Sequence, residues 1–225
     1  MHTEQKHVFK HLVYEQFARV GKALAHAHRL ALLDLLGQGE YSVDALARET
    51  GLPLATVSQH LQILRAARLV EARRVGVSIY YRLSSESVSQ LWLALRACGE
   101  DQLIEIEHLV TTFVQDRAAL HPMTIDELRE ALGEERVTLL DVRPADEYQA
   151  GHLPQARSLP VAELEARLAE LPHDQEIVAY CRGPYCVFAD EAVALLRARG
   201  YQARRLEEGV LEWRTRGLPV ATGKG

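Results

Sequence analysis

Apolar residues early in the chain recur at helical spacing. Phe17, Val20, Leu24, Leu30, Leu33 and Leu36 mark one face of a helix predicted over about residues 16–36, and Gly37-Gln38-Gly39 ends it. Ser42 then stands as an N-cap candidate for a two-turn helix over 43–50. Gly51-Leu52-Pro53 makes a tight turn, after which Val57, Leu61 and Leu64 at i, i+4 and i+7 predict a third helix over 54–67. Short helix, glycine-containing turn and second helix form a helix-turn-helix layout. The pattern then changes to strands: residues 70–74 and 78–83 flank Val75-Gly76-Val77 as a β-hairpin. A further helical stretch ends near 116–122, where His121-Pro122 breaks it. From there strand and helix patterns alternate: a capped helix start at Thr124, a buried strand over 137–141 and a helix over 163–171. A strand over 177–180, a helix over 187–199 and a strand over 203–206 follow. The expected fold is therefore two domains, 1–118 and 119–225. The first is mainly α with a β-hairpin wing, and the second is α/β with a mainly parallel sheet.

Composition changes this picture little. A chain of 225 residues, 48% apolar and 25% charged, suffices for two small cores. The polar first residues and the lack of a long apolar run predict a cytoplasmic protein with no membrane partner. Cys98, Cys181 and Cys186 are too few for a disulfide framework and are read as thiols with chemistry or as packing residues. The net charge of −5 sits in the second half, leaving the first half neutral with a local basic patch of Arg65, Arg68, Arg73, Arg74 and Arg82.

That patch adjoins the predicted recognition helix. Thr56, Ser58, Gln59 and Gln62 lie off its apolar face and suit base edges and phosphates in a major groove. Arg65, at the end of the same helix, with Arg73, Arg74 and Arg82 on the hairpin, suits phosphate contacts. Double-stranded operator DNA is the expected partner. Three segments carry a family resemblance: Leu24-Ala25-His26-Ala27-His28-Arg29-Leu30, Thr56-Val57-Ser58-Gln59-His60-Leu61, and Gly76 through Leu83. In order, they resemble the ArsR/SmtB winged helix-turn-helix repressors. The resemblance implies a homodimer paired through its first and last helices, here about 8–27 and 85–118. The segments that hold metal in that family lack their ligands here, with no cysteine in 40–44 and no histidine in 84–99, so no metal and no cofactor is expected. His7 and His11 read as a solvated helix face, and His60 as a half-buried packing residue.

The sharpest chemical signal is Cys181-Arg182-Gly183-Pro184-Tyr185-Cys186, between an apolar strand and a helical pattern. Converging backbone N–H groups and the positive end of a helix at such a junction favour a thiolate on Cys181 and an anion beside it. Asp141 to Ala156, Cys181-Arg182-Gly183, and the closing segment of Gly200-Tyr201 with Leu206 to Trp213 together resemble the rhodanese family. The resemblance implies that Cys181 takes a sulfane sulfur as a persulfide and passes it to an acceptor, with a small sulfur-containing anion or persulfide as donor and no metal. Arg182 adds positive charge or faces solvent. Asp141, Arg143, Glu147 and His152 are supporting residues that fix the strand end. Cys186 either resolves Cys181 as a disulfide or is a packing residue at the helix start, and the loop ends somewhere between 186 and 188. No arginine closes the loop, which favours sulfur over phosphate or arsenate. The expected protein is thus a DNA-binding repressor that senses or transfers reactive sulfur. Two rivals stand beside it: a sulfurtransferase whose winged helix is mainly a dimeriser, and a repressor with an inactive rhodanese ligand module.

Overall fold

The computed structural model describes residues 3–113 and 122–223, with side chains from residue 5. The chain packs as two units, residues 1–92 and 93–225, dividing within helix α5. The junction expected at 118/119 lies outside the described residues. Among the described residues, no helix is long and apolar enough to cross a membrane.

The first unit begins with α1 (Thr3–Leu24) and α2 (Ala27–Gln38), where one helix was expected across 16–36. His26 breaks it: its backbone is extended and its ring Nδ1 accepts from the backbone N–H of His28 at 3.2 Å, capping α2. Arg29 turns back to the end of α1, where Nε donates to the Ala23 carbonyl at 2.5 Å and Nη2 to that of Lys22 at 3.0 Å. A cation there satisfies carbonyls that the helix leaves open. Strand β1 (Tyr41–Ser42) leads into α3 (Val43–Thr50), capped by the Ser42 hydroxyl. Helix α4 (Leu54–Ala66) follows, then β2 (Val70–Val75) and β3 (Ser78–Leu83), joined by a two-residue turn in which Gly76 has φ +59°. The three antiparallel strands run β1-β3-β2. Leu32, Leu33, Leu36, Leu46, Val57, Leu61 and Leu64 fill the core between the helices. Helix α5 (Glu86–Gln102) is tied to α2 by the Trp92 indole N–H, 3.1 Å from Asp34 Oδ1. Helix α6 (Ile104–Phe113) follows, so the expected last helix breaks at Leu103, and its end beyond 113 lies outside the described residues.

The second unit is built on a four-stranded sheet, β5-β4-β6-β7, in which every pairing is parallel. Helix α7 (Ile125–Gly133) leads in with a capping box between Thr124 and Glu127. Strand β4 (Val137–Asp141), helix α8 (Ala145–Ala150), strand β5 (Arg157–Ser158) and helix α9 (Val161–Leu164) come next. A 3₁₀ turn over Glu165–Glu170 replaces the rest of the helix expected over 163–171. Then follow β6 (Glu176–Tyr180), α10 (Phe188–Ala198), β7 (Ala203–Arg205) and α11 (Val210–Thr215). Both sheet faces are covered, so the central strands are apolar throughout. Leu139, Val178 and Tyr180 face Ile125, Leu128 and Trp213. Leu140, Ile177, Ala179 and Cys181 lie in the opposite cluster with Ala192, Val193 and Leu196. Period-two alternation thus sends Cys181 to the α10 side.

Candidate functional site

Cys181 is the first residue beyond β6, at the carboxyl ends of the parallel strands where α/β sheets gather their ligands. The loop runs from Cys181 to Val187, which precedes the first turn of α10. It folds back on itself through the Cys186 N–H, 3.3 Å from the Gly183 carbonyl, and Gly183 holds φ +120°. That conformation suits a residue without a Cβ. Cys181 is buried and Cys186 half-buried, and a side-chain hydrogen bond joins the two thiols. Burial, foremost, and that hydrogen bond push the Cys181 thiol well above its ordinary range. For Cys186, the Cys181 hydrogen bond outweighs the burial that opposes it. Backbone N–H groups of Arg182 and Phe188 and the Arg182 charge assist, bringing it down to about 7. Burial and the shared hydrogen bond thus shift the two thiols in opposite directions, Cys181 up and Cys186 down.

Arg182 does not face solvent. It pairs with the buried Glu147 carboxylate through Nε at 3.1 Å and through Nη2, and its guanidinium lies 5.3 Å from the Phe188 ring centroid. Pro184 is half-buried and Tyr185 exposed, its hydroxyl donating to Glu100 Oε1 at 2.5 Å. Two further residues meet this loop: Arg205, which lies outside the motif segments, and Glu212, which lies inside the closing one without having been singled out. Arg205, buried at the end of β7, reaches Asp190 Oδ1 at 3.1 Å and the Gly183 carbonyl at 3.5 Å, placing a positive charge beneath the loop. Glu212 accepts from the Gly209 N–H at 2.8 Å and from Arg96 Nη1 at 2.6 Å, and lies against Gly183. An arginine ending an otherwise buried strand was the one available hint for Arg205. Gly209 packs so closely that a Cβ there would lie 2.8 Å from the Cys181 carbonyl oxygen.

Asp141 and Arg143 are wholly buried. Asp141 accepts from the Arg143 backbone N–H at 3.0 Å, from Arg143 Nη2 at 2.5 Å and from the Tyr180 hydroxyl at 2.7 Å. Arg143 Nη2 also donates to the Gly151 carbonyl at 2.7 Å. Burial opposes the Arg143 charge, but the Asp141 carboxylate more than offsets it and raises the pKa. His152 stacks on Tyr148 at 3.7 Å, with Nδ1 2.7 Å from the Tyr148 carbonyl. These groups brace the ends of β4 and β6.

On the first unit, Gln59, Gln62 and Arg65 are exposed along α4 and Thr56 and Ser58 are half-buried, while Val57, Leu61 and Leu64 turn inward. The wing is less basic than its sequence. Arg73 is held by Glu40, with Nη2 and Oε2 2.5 Å apart, and Arg82 by Glu71 at 2.9 Å. The Arg73 hydrogen bond keeps Glu40 below the usual carboxylate range. Arg74 Nε donates to the Gly76 carbonyl at 3.1 Å.

The chain matches two family models, a helix-turn-helix domain over residues 24–73 and a rhodanese-like domain over 124–216. The HTH-type transcriptional regulator Rv0324 of Mycobacterium tuberculosis is 47% identical over 215 residues, covering 95% of this chain and 94% of that protein. A sulfurtransferase of Allochromatium vinosum is 34% identical over 92 residues, covering 40% of this chain and 84% of its own. The homodimeric winged helix-turn-helix DNA-binding domain of Mb0332 from Mycobacterium bovis, fragment 1–100, is 47% identical. It covers 42% of this chain and 87% of that one, with a TM-score of 0.41. With that regulator matched along nearly the whole length of both chains and both family models matched in this one, the chain belongs to the family of HTH-type transcriptional regulators that join an ArsR-like winged helix to a rhodanese-like domain.

Proposed function

We propose that this regulator binds a palindromic operator in duplex DNA as a homodimer and that its second domain reads reactive sulfur through Cys181, in the reducing cytoplasm. The observation that carries the sulfur reading is the Cys181–Cys186 pair, a buried thiol hydrogen-bonded to a half-buried one at the strand end. As Cys181 attacks the sulfane sulfur of a donor, its proton passes to Cys186. With thiosulfate, the S–S bond of the donor breaks, sulfite leaves, and Cys181 keeps the sulfur as a persulfide anion. Loop N–H groups and the Arg205 guanidinium stabilise that charge. Protonated Cys186 then loses its proton and attacks the inner sulfur. A Cys181–Cys186 disulfide forms, and the outer sulfur leaves as hydrosulfide with that proton.

Either product changes the loop's charge and packing, and a useful switch needs about 1–3 kcal/mol of coupling to DNA affinity. The apolar side chains that α1 leaves exposed, Phe9, Leu12 and Phe17 among them, support pairing through the first helix. Intact-mass analysis beside an operator titration tests the proposal. Polysulfide should add about 32 Da, one sulfur atom, or remove two hydrogens, and shift DNA affinity in wild type but not in Cys181→Ser. A Cys181→Ser protein that responds normally refutes it. Similarity to a sulfurtransferase keeps an enzymatic reading open as the alternative. Rapid thiosulfate-to-cyanide turnover together with operator binding lost at moderate salt would favour it. A protein that takes up no sulfur at all would instead be a repressor with an inactive rhodanese module.

A further inference from the structure

We propose that His26, His28 and His60 form a binding site for a borderline divalent transition-metal ion of the Zn²⁺ or Co²⁺ class, in the first unit and independent of the cysteine loop. Among the described residues, this is a group in which one ligand atom from each side chain lies within 4.8 Å of the other two. The ring centroids are 4.5 Å apart for His26–His60, 5.1 Å for His26–His28 and 5.5 Å for His28–His60.

The placement of His60 makes the cluster more than a surface coincidence. His60 occupies the inward stripe of α4 with Val57, Leu61 and Leu64 and is 8% exposed, yet its Nδ1 is buried without a hydrogen-bond partner. Leaving a polar atom unsatisfied in such a position is costly, and an ion or its ligand water removes the deficit. His26 and His28, by contrast, are exposed at the start of α2. One fixed inner ligand and two solvent-facing ones give an ion a way in. Imidazole nitrogens bind Zn²⁺ at about 2.0–2.1 Å, which sets tetrahedral ligands about 3.4 Å apart, so the two outer rings must turn inward by roughly an ångström. A set of three neutral nitrogens with no thiolate or carboxylate selects borderline ions over Ca²⁺ or Mg²⁺, which want oxygen. The fourth position is left to water or a small anion. The neighbouring Arg29 guanidinium is held away on the Ala23 and Lys22 carbonyls.

His26 also caps α2 through Nδ1, and since a neutral ring has one lone pair it gives up that hydrogen bond when it takes the ion, so the test must separate cap from ligand. His26→Asn keeps a good cap and removes the imidazole. His28→Gln removes the other exposed ligand. Reduced full-length protein is titrated with Co²⁺, followed by its visible ligand-field absorption, and the ion is then displaced with Zn²⁺. The expected result is one Co²⁺ per chain bound through nitrogen and oxygen, at least about tenfold weaker binding in each single variant and none in the double variant, with unchanged helix content. Equal Co²⁺ affinity in the double variant, a spectrum carrying only thiolate-to-cobalt charge transfer, or no binding by wild type would overturn the site.

Discussion

At the scale of single residues, the two loop cysteines are shifted in opposite directions, and the difference is measurable. Cys186 is lowered to about 7, so its alkylation rate should climb as pH rises through about 7, where an ordinary thiol waits until about 8.5. Peptide mass analysis after brief iodoacetamide pulses across pH reads this directly. A midpoint at the ordinary value would refute the lowering of Cys186. The same shift has a sign for stability. The folded chain sheds the Cys186 proton before the unfolded chain does, so its contribution is full above the unfolded pKa and is lost as pH falls through about 7. Cys181, raised instead, works against stability at higher pH. The sequence marked Cys181 and Cys186 because a strand and a helix meet between them. It could not tell which thiol is raised and which lowered, because that depends on how deeply each is buried.

At the scale of elements, what is encoded locally was legible. Ser42 caps α3 and Thr124 caps α7 as their side-chain chemistry predicts, because a cap needs only a hydroxyl three residues from an orphan N–H. Thr124→Ala should lower stability by about 1 kcal/mol with no change in fold, as a urea unfolding midpoint shift at constant slope would show. A larger loss with altered slope would mean that α7 does more than pack. The break between α1 and α2 was hidden because the apolar markers Leu24 and Leu30 flank it, while the event that ends α1 is a ring nitrogen turning onto the backbone. The 3₁₀ turn after α9 was missed for a related reason. Apolar spacing reports which face is buried, not how tightly the turn is wound.

At the scale of the whole molecule, the missing information is pairing between distant residues. Nothing in the sequence joins Glu40 to Arg73, Arg205 to Asp190, or His60 to His26, though each pair meets in space. The first pair bears on the proposed DNA face. Glu40→Gln should release Arg73 for phosphate, tighten operator binding at low salt and steepen the salt dependence by about one ion. Fluorescence anisotropy over a salt series measures both, and an unchanged slope would show that Arg73 stays clear of DNA. Gly209 draws together the loop and the segment that closes the second domain, for its missing Cβ is the space through which the Cys181–Gly183 backbone runs. In evolutionary terms that space is a lock. A lineage can change the loop's side chains one at a time, but lengthening or re-routing its backbone demands a matching change at 209, so the Cys181 loop and its distant closing segment must be inherited together.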